Sequence, residues 1–141
     1  IIEKYSHVIQ EKGVEAKVNI DDNYFVKADY LRIDQVLCNY VANALNHVDD
    51  NKYIEVRVQP IDERVRVSVI NSGKKIPKED LERLWDSFYK VDKARTREYG
   101  GTGLGLSIVK SIMEHHKGRY GVINKKIGVE FWFELNIIPE E

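Results

Sequence analysis

The sequence has very little cysteine and methionine, and it has no long apolar run. Its 141 residues contain one cysteine, Cys38, and one methionine. An internal disulfide and a cysteine-cluster metal site are therefore excluded, and a reducing compartment is indicated. No apolar run approaches the ~20 residues that a membrane-spanning helix needs. The chain starts without methionine or a visible signal peptide, which predicts a piece cut from a longer protein.

A charge excess of either sign is also lacking. Lysine and arginine together number 22 and aspartate and glutamate 23, for a formal net charge of −1. No bulk attraction to nucleic acid or to an acidic membrane is implied, and we expect no nucleic-acid partner. The length suits one domain with a real core, and the composition is that of an ordinary globular protein.

Glycine, by contrast, is concentrated in one place, where four glycines fall within residues 100–105. An apolar stripe at helical spacing follows, formed by Leu104, Ile108 and Ile112. Glycine lets the backbone approach a ligand closely, and the first turn of a helix presents unpaired N–H groups at its positive end. The stretch therefore predicts a cradle for a polyphosphate, and a flexible linker before an ordinary helix is the alternative.

Three familiar phosphate loops do not fit this stretch. A Walker A loop needs lysine after its last glycine, but Gly105 is followed by Leu106 and Ser107. The glycine spacing differs from the dinucleotide fingerprint, and residues 93–98 are too polar for the buried strand that should precede it. The V-A-I-K strand that accompanies a protein-kinase loop is missing.

A second unusual feature is a row of asparagines in a predicted helix over residues 29–48. Asn39 and Asn43 are one turn apart, and Asn46 follows on the next turn. Asparagine is a poor interior helix former, so a solvated face or a frayed end is one interpretation. The other is a row of amide oxygens, which suit Mg²⁺ bound together with substrate phosphates.

The remaining patterns predict alternating helices and strand pairs. We expect a helix end closed by Gly13, an apolar face on the helix at 29–48 that includes Leu31, and an irregular segment over 86–102. That segment carries several basic side chains and is interpreted either as a lid or as a solvated loop. The other predicted helices cover 77–85 and 103–115, and the strands cover 14–20 (half-buried), 24–28, 53–58, 64–70, 120–123 and 129–135. This order favours an α+β, two-layer α/β sandwich, with a mixed, mostly antiparallel sheet and helices on one face.

Four segments, in order, resemble the motif boxes of one protein family. They are an N box at 34–47, a G1 box at 71–77, an F box at 84–92 and a G2 box at 101–106. With them the chain is similar, over residues 29–135, to the catalytic ATP-binding domain (HATPase, GHKL type) of bacterial two-component sensor histidine kinases. The wider group includes gyrase B, Hsp90 and MutL. Within the sensor kinases, the sequences of the four boxes resemble those of VanS-like sensors most.

The resemblance implies a Bergerat ATP-binding fold with ATP and Mg²⁺ as cofactors. Asn43 would hold Mg²⁺, Asn71 would occupy the adenine-reading position, and Asn39, Lys90 and Arg97 would be the catalytic residues near the phosphates. The nucleotide-binding set that it implies is Asn39, Asn43, Asn46, His47, Asn71, Gly73, Ile76, Tyr89, Lys90, Gly101, Thr102, Gly103, Leu104, Gly105 and Leu106.

The phosphoacceptor histidine of that family belongs to a separate helical domain, and the residues after His7 do not match its sequence. The resemblance thus implies that residues 1–12 end a preceding helical segment and that 13–141 form the ATP-binding catalytic domain. The implied partners are the helical dimerisation and phosphoacceptor domain of the parent kinase, and then a response regulator. The fragment would be monomeric and cytoplasmic, and the parent a membrane-anchored homodimer.

Three positions depart from the family pattern, and they keep an alternative open. Asn71 replaces the usual aspartate, Asn46 replaces a lysine, and Val129 replaces a threonine. The alternative is a degenerate nucleotide-binding platform without kinase activity. An ATP hydrolase of the gyrase or MutL kind is disfavoured, because Asn39 lies where those enzymes carry a glutamate, and an amide cannot take a proton from water.

Overall fold

The computed structural model describes residues 6–87 and 105–139. Within them the chain forms three α-helices, five β-strands and two short 3₁₀ helices. In chain order these are α1 (Ser6–Lys12), β1 (Glu15–Ile20), α2 (Tyr30–His47), β2 (Tyr53–Ile61), β3 (Arg64–Ser72), the 3₁₀ helices Lys78–Asp80 and Arg83–Trp85, α3 (Gly105–His115), β4 (Arg119–Asn124) and β5 (Gly128–Asn136). No helix within these ranges is long and apolar enough to cross a membrane.

The strands form one sheet in the order β1-β2-β3-β5-β4. Only β1 and β2 run parallel, and the other three pairings are antiparallel. Strands β2 and β3 form the expected hairpin, whose turn uses a left-handed backbone at Asp62 (φ 56°). The predicted two-layer sandwich with a mixed, mostly antiparallel sheet is confirmed.

Helices α2 and α3 pack against one face of this sheet because each carries an apolar stripe at helical spacing. From α2 the buried side chains include Val36, Tyr40 and Ala44, and the Tyr40 ring packs against the rings of Phe131 and Phe133 of β5. The Tyr40 hydroxyl donates to the Trp132 carbonyl oxygen at 2.9 Å, which satisfies a polar group at the centre of the core. Burial raises the pKa of the Tyr40 hydroxyl far above its ordinary value.

The start of α2 is held from two directions. The Asp29 carboxylate caps the helix by accepting from the Arg32 N–H at 3.3 Å. The Asp29 N–H donates to Nε2 of His116 at 3.0 Å, and Nδ1 of His116 lies 2.8 Å from the Ile112 carbonyl oxygen. The histidine after α3 therefore links the two helices and has a structural role.

Two expectations for the region around residues 20–31 are wrong. The predicted strand at 24–28 is reduced to one bridge between Val26 and Ile137, because the chain must turn away to begin α2. Leu31 is 74% exposed and does not belong to the apolar face of α2. At about 100° per residue it points roughly 140° away from Val36, which is fully buried.

Two further elements differ from their sequence patterns. The predicted helix at 77–85 is a pair of 3₁₀ helices, since the bonds in each close over three residues, as from the Asp80 N–H to the Pro77 carbonyl oxygen. Strand β1 is mostly exposed rather than half-buried. It lies at the sheet edge, where Val18 and Ile20 remain 51% and 54% exposed.

The sheet face opposite the helices carries three buried carboxylates, those of Glu55, Glu130 and Glu134. Each is neutralised by a cation, because an unpaired buried charge is costly. Arg66 binds Glu134 at 2.7 Å and also lies over the Trp132 ring, 4.1 Å from its centroid. The cations paired with the three carboxylates are, in the same order, Arg57, Lys125 and Arg66.

Glu55 provides a pH-dependent contribution to stability. Burial alone would raise the pKa of its carboxyl, but hydrogen bonds from Tyr53 and Arg57, with the charges of Arg57 and Lys17, outweigh burial and lower the pKa below the ordinary 4.5. The stabilisation is therefore present above pH 4.5 and is lost as the pH falls through the lowered pKa of the folded state. We expect Glu55→Gln to flatten the acid limb of a urea-unfolding series measured between about pH 6 and pH 2.

Glu63→Gln is the matched control, because Glu63 is exposed at the β2–β3 turn. It should leave the slope unchanged. Identical slopes for the wild type and Glu55→Gln would contradict this account of the outer sheet face.

Candidate functional site

The middle of α2 meets the start of α3 at one of the predicted site residues. The Nδ2 amide of Asn39 donates to the Gly105 carbonyl oxygen at 3.1 Å. This bond uses the donor end of the amide and leaves its oxygen available as an acceptor. The first described turn of α3 therefore lies beside the asparagine row, and the arrangement presents helix N-terminal N–H groups next to amide oxygens.

Asn43 lies one turn further along α2 and is half-buried. Its side chain makes no hydrogen bond to another residue in the described ranges, so both ends of its amide are uncommitted there. No group of three acidic, histidine or cysteine side chains within those ranges could hold a metal on its own. One or two amide oxygens fit Mg²⁺, which prefers oxygen ligands and is completed by substrate phosphates and water.

The C-terminal end of β3, with Asn71, Ser72 and the following Gly73, forms a second side of the candidate site. Asn71 is 2% exposed, and its Nδ2 donates to the Ser72 carbonyl oxygen at 3.0 Å. Gly73 has φ 156°, and a Cβ there would lie 2.6 Å from the His47 carbonyl oxygen. Glycine is thus required where the end of β3 passes the end of α2.

The C-terminal turn of α2 contributes Asn46 and His47, both half-buried. The Asn46 Oδ1 atom is buried without a hydrogen-bond partner among the described residues. His47 is placed through its backbone, which contacts the position where Gly73 lacks a side chain. The structure thus brings the C-terminal ends of α2 and β3 together.

Two residues outside the predicted site set support the end of β3 and the segment after it. The side chain of Asn124, at the end of β4, accepts from the Ile76 N–H and donates to the Ile76 carbonyl oxygen, both at 2.9 Å. A Cβ on Gly128 would lie 1.9 Å from the Asn71 carbonyl oxygen and 2.8 Å from the Gly73 nitrogen. These contacts hold the Gly73–Ile76 segment against the sheet, and their partners are more than 45 residues apart in the chain.

Several predicted site residues lie outside the described ranges. They include the proposed lid residues and most of the glycine-rich stretch, namely Tyr89, Lys90, Arg97, Gly101, Thr102, Gly103 and Leu104. Of the two remaining members of that stretch, Gly105 begins α3 and contacts Asn39. The other, Leu106, packs against the core, and the division of the chain at residues 12 and 13 stays a prediction.

Residues 28–138 match the family described as histidine kinase-, DNA gyrase B- and HSP90-like ATPase, HATPase_c. The chain belongs to this family. Among curated HATPase_c relatives, it is 36% identical over 140 residues to the sensor histidine kinase CusS of Escherichia coli O157:H7. It is 40% identical over 121 residues to the sensor histidine kinase WalK of Bacillus subtilis. The aligned regions cover 99% and 84% of this chain but only 28% and 20% of those two proteins.

Solved structures agree with the HATPase_c assignment. The catalytic domain of the histidine kinase ThkA superimposes with a TM-score of 0.84 at 34% identity, over 96% of this chain and 86% of that one. Full-length ShkA in complex with AMPPNP superimposes with a TM-score of 0.83 at 29% identity, over 98% of this chain and 28% of that one. ThkA in complex with the response regulator protein TrrA superimposes with a TM-score of 0.80 at 32% identity, over 99% of this chain and 39% of that one.

Proposed function

We propose that this HATPase_c domain binds ATP and transfers its γ-phosphoryl group to a histidine on a separate helical domain. The observation that carries the proposal is the contact of Asn39 with Gly105. It places the asparagine row of α2 beside the N-terminus of α3, and both features suit a polyphosphate with its cation. The AMPPNP complex of ShkA and the names of the relatives support the same function.

In this proposal α2, the start of α3 and the end of β3 each have a role. Asn43, with the Asn39 oxygen beside it, would hold Mg²⁺, which when bound would neutralise phosphate charge. The first turn of α3 would receive the phosphates on its N–H groups. The Asn71 oxygen would accept from the amino group of adenine, since the amide donor is already bonded to Ser72.

Phosphoryl transfer needs positioning and charge neutralisation more than covalent help from the protein. The roles of Lys90 and Arg97 near the γ-phosphate belong to the same proposal. Hydrolysis is not proposed, because Asn39 offers no carboxylate to deprotonate a water molecule.

The partners we propose are the helical dimerisation and phosphoacceptor domain of the parent kinase and a response regulator. The complex of ThkA with TrrA supports a response regulator as partner. A cytoplasmic domain in a membrane-anchored, homodimeric parent completes the proposal.

The test combines binding with transfer. Calorimetry with AMPPNP, with and without Mg²⁺, should show binding that requires the metal. Radiolabelled ATP should then label the parent's helical phosphoacceptor domain, supplied as a separate polypeptide, with an acid-labile phosphohistidine. No binding at millimolar AMPPNP and Mg²⁺ would refute nucleotide binding by this domain, and binding without transfer would favour a regulatory platform.

A further inference from the structure

Helix α1 reaches the sheet through a rigid joint. Gly13 has φ 68° and its N–H donates to the Gln10 carbonyl oxygen at 3.1 Å, while the Val14 N–H donates to the Ile9 carbonyl oxygen at 3.0 Å. These two bonds define a Schellman motif. Ile9 and Val14 both pack with the core, so the direction of the last turn of α1 is fixed relative to the sheet.

The orientation of this turn directs the Lys12 side chain to the C-terminal end of α2. The Val48 N–H still donates to the Ala44 carbonyl oxygen in the helical pattern, but the next amide, of Asp49, donates to the Ser72 carbonyl oxygen at 3.2 Å. The Leu45 carbonyl oxygen therefore loses its helical donor to β3. The Lys12 ammonium takes that place, 3.1 Å from the Leu45 oxygen.

This turn of α2 is part of the candidate site. It carries Asn46 and His47, and the His47 carbonyl oxygen lies against the backbone at Gly73. The C-terminal turn of α2, which forms one end of the proposed nucleotide site, is therefore held by Ser72 of β3 and by Lys12 of α1. A cation near helix C-terminal carbonyls also interacts favourably with the helix dipole.

We propose that Lys12 is a positioning residue for the nucleotide: it sets the C-terminal turn of α2, so that displacement of α1 changes nucleotide affinity. The proposal rests on the proposed function for the identity of the ligand. Its consequence is that α1, which lies outside the matched family region at 28–138, is coupled to the pocket through the bond between the Lys12 ammonium and the Leu45 carbonyl oxygen.

The test compares AMPPNP binding, in the presence of Mg²⁺, by the full 141-residue chain and by Lys12→Met, which keeps the side chain's length but has no donor. Losing a charged hydrogen bond to this turn should raise the Kd roughly fivefold. Lys12→Arg restores a donor and should recover most of the affinity. Lys27→Met removes an exposed lysine before α2 and should bind as the wild type does.

A second readout separates positioning from general stability. Amide hydrogen exchange at Val48 and Asp49 should speed up in Lys12→Met at a temperature where circular dichroism shows every variant folded. Equal Kd values for wild type and Lys12→Met would overturn the proposal. If Lys12→Met does not fold, Lys12→Leu, which likewise has no donor, carries the same comparison, and wild-type affinity in that variant would overturn the proposal equally. Failure of the wild type itself to bind AMPPNP would instead refute the proposed function.

Discussion

Asn43→Ala should abolish Mg²⁺-dependent binding of AMPPNP, raising the Kd by at least about 100-fold, since even residues that only support a metal ligand are worth 10–100-fold in metal affinity. The physical reason is that, in the proposed function, the uncommitted Asn43 amide gives Mg²⁺ a protein oxygen. Calorimetric titration with AMPPNP, with and without Mg²⁺, measures the loss. The folded state should survive, because the Asn43 side chain makes no hydrogen bond to another residue in the described ranges.

Asn23→Ala serves as the control, because Asn23 is exposed in the segment between β1 and α2. Its Kd should equal that of the wild type. Retention of Mg²⁺-dependent affinity by Asn43→Ala would show that the cation is held elsewhere, and the proposed role of the asparagine row would then fail.

Gly128→Ala should destabilise the fold by about 3 kcal/mol or more, in the range of severe core lesions. The new methyl group would lie 1.9 Å from the Asn71 carbonyl oxygen and 2.8 Å from the Gly73 nitrogen. Both neighbours are backbone atoms, so the start of β5 and the end of β3 would have to separate. Urea unfolding monitored by circular dichroism measures the change in stability. AMPPNP binding should also weaken, because the end of β3, which carries Asn71, would move.

Gly105→Ala is the matched control for stability. Among the described residues, a Cβ at Gly105 would meet no atom within 4 Å, and alanine is the better helix former by about 0.5–1 kcal/mol. We expect this variant to be at least as stable as the wild type. Equal destabilisation by the two alanines would mean that the close approach at Gly128 does not limit the fold.

The sequence alone predicts the fold wherever hydrophobic periodicity and local chemistry agree. The helix at 29–48, the hairpin and the last two strands follow from spacing of 3.6 or 2 residues, and the structure confirms them. The failures occur where tertiary context decides. Residues 24–28 have strand-like side chains but form one bridge, and Pro77 begins a 3₁₀ helix rather than an α-helix.

For the site, motif order predicts which segments converge but not how they are held. The contact between Asn39 and Gly105 joins two residues that were both expected to bind nucleotide. The bonds of Asn124 to Ile76 and of Lys12 to Leu45 were not predictable. Each joins an ordinary polar side chain to a backbone group that becomes available only once the fold is formed, and such partners leave no periodic or compositional trace.

The strand order has a consequence for synthesis of the chain. The last strand, β5, lies between β3 and β4, and it pairs with both along most of its length. A ribosome-bound chain that ends before residue 128 therefore lacks the two phenylalanines that pack against Tyr40 of α2, and it leaves one edge of β3 unpaired. The pairing of β3 and β4 with β5 must wait until residues 128–136 emerge, so completion of the sheet depends on long-range contacts that form late. A nonsense mutation or proteolytic cut shortly before β5 should yield an aggregating chain rather than a weakened enzyme.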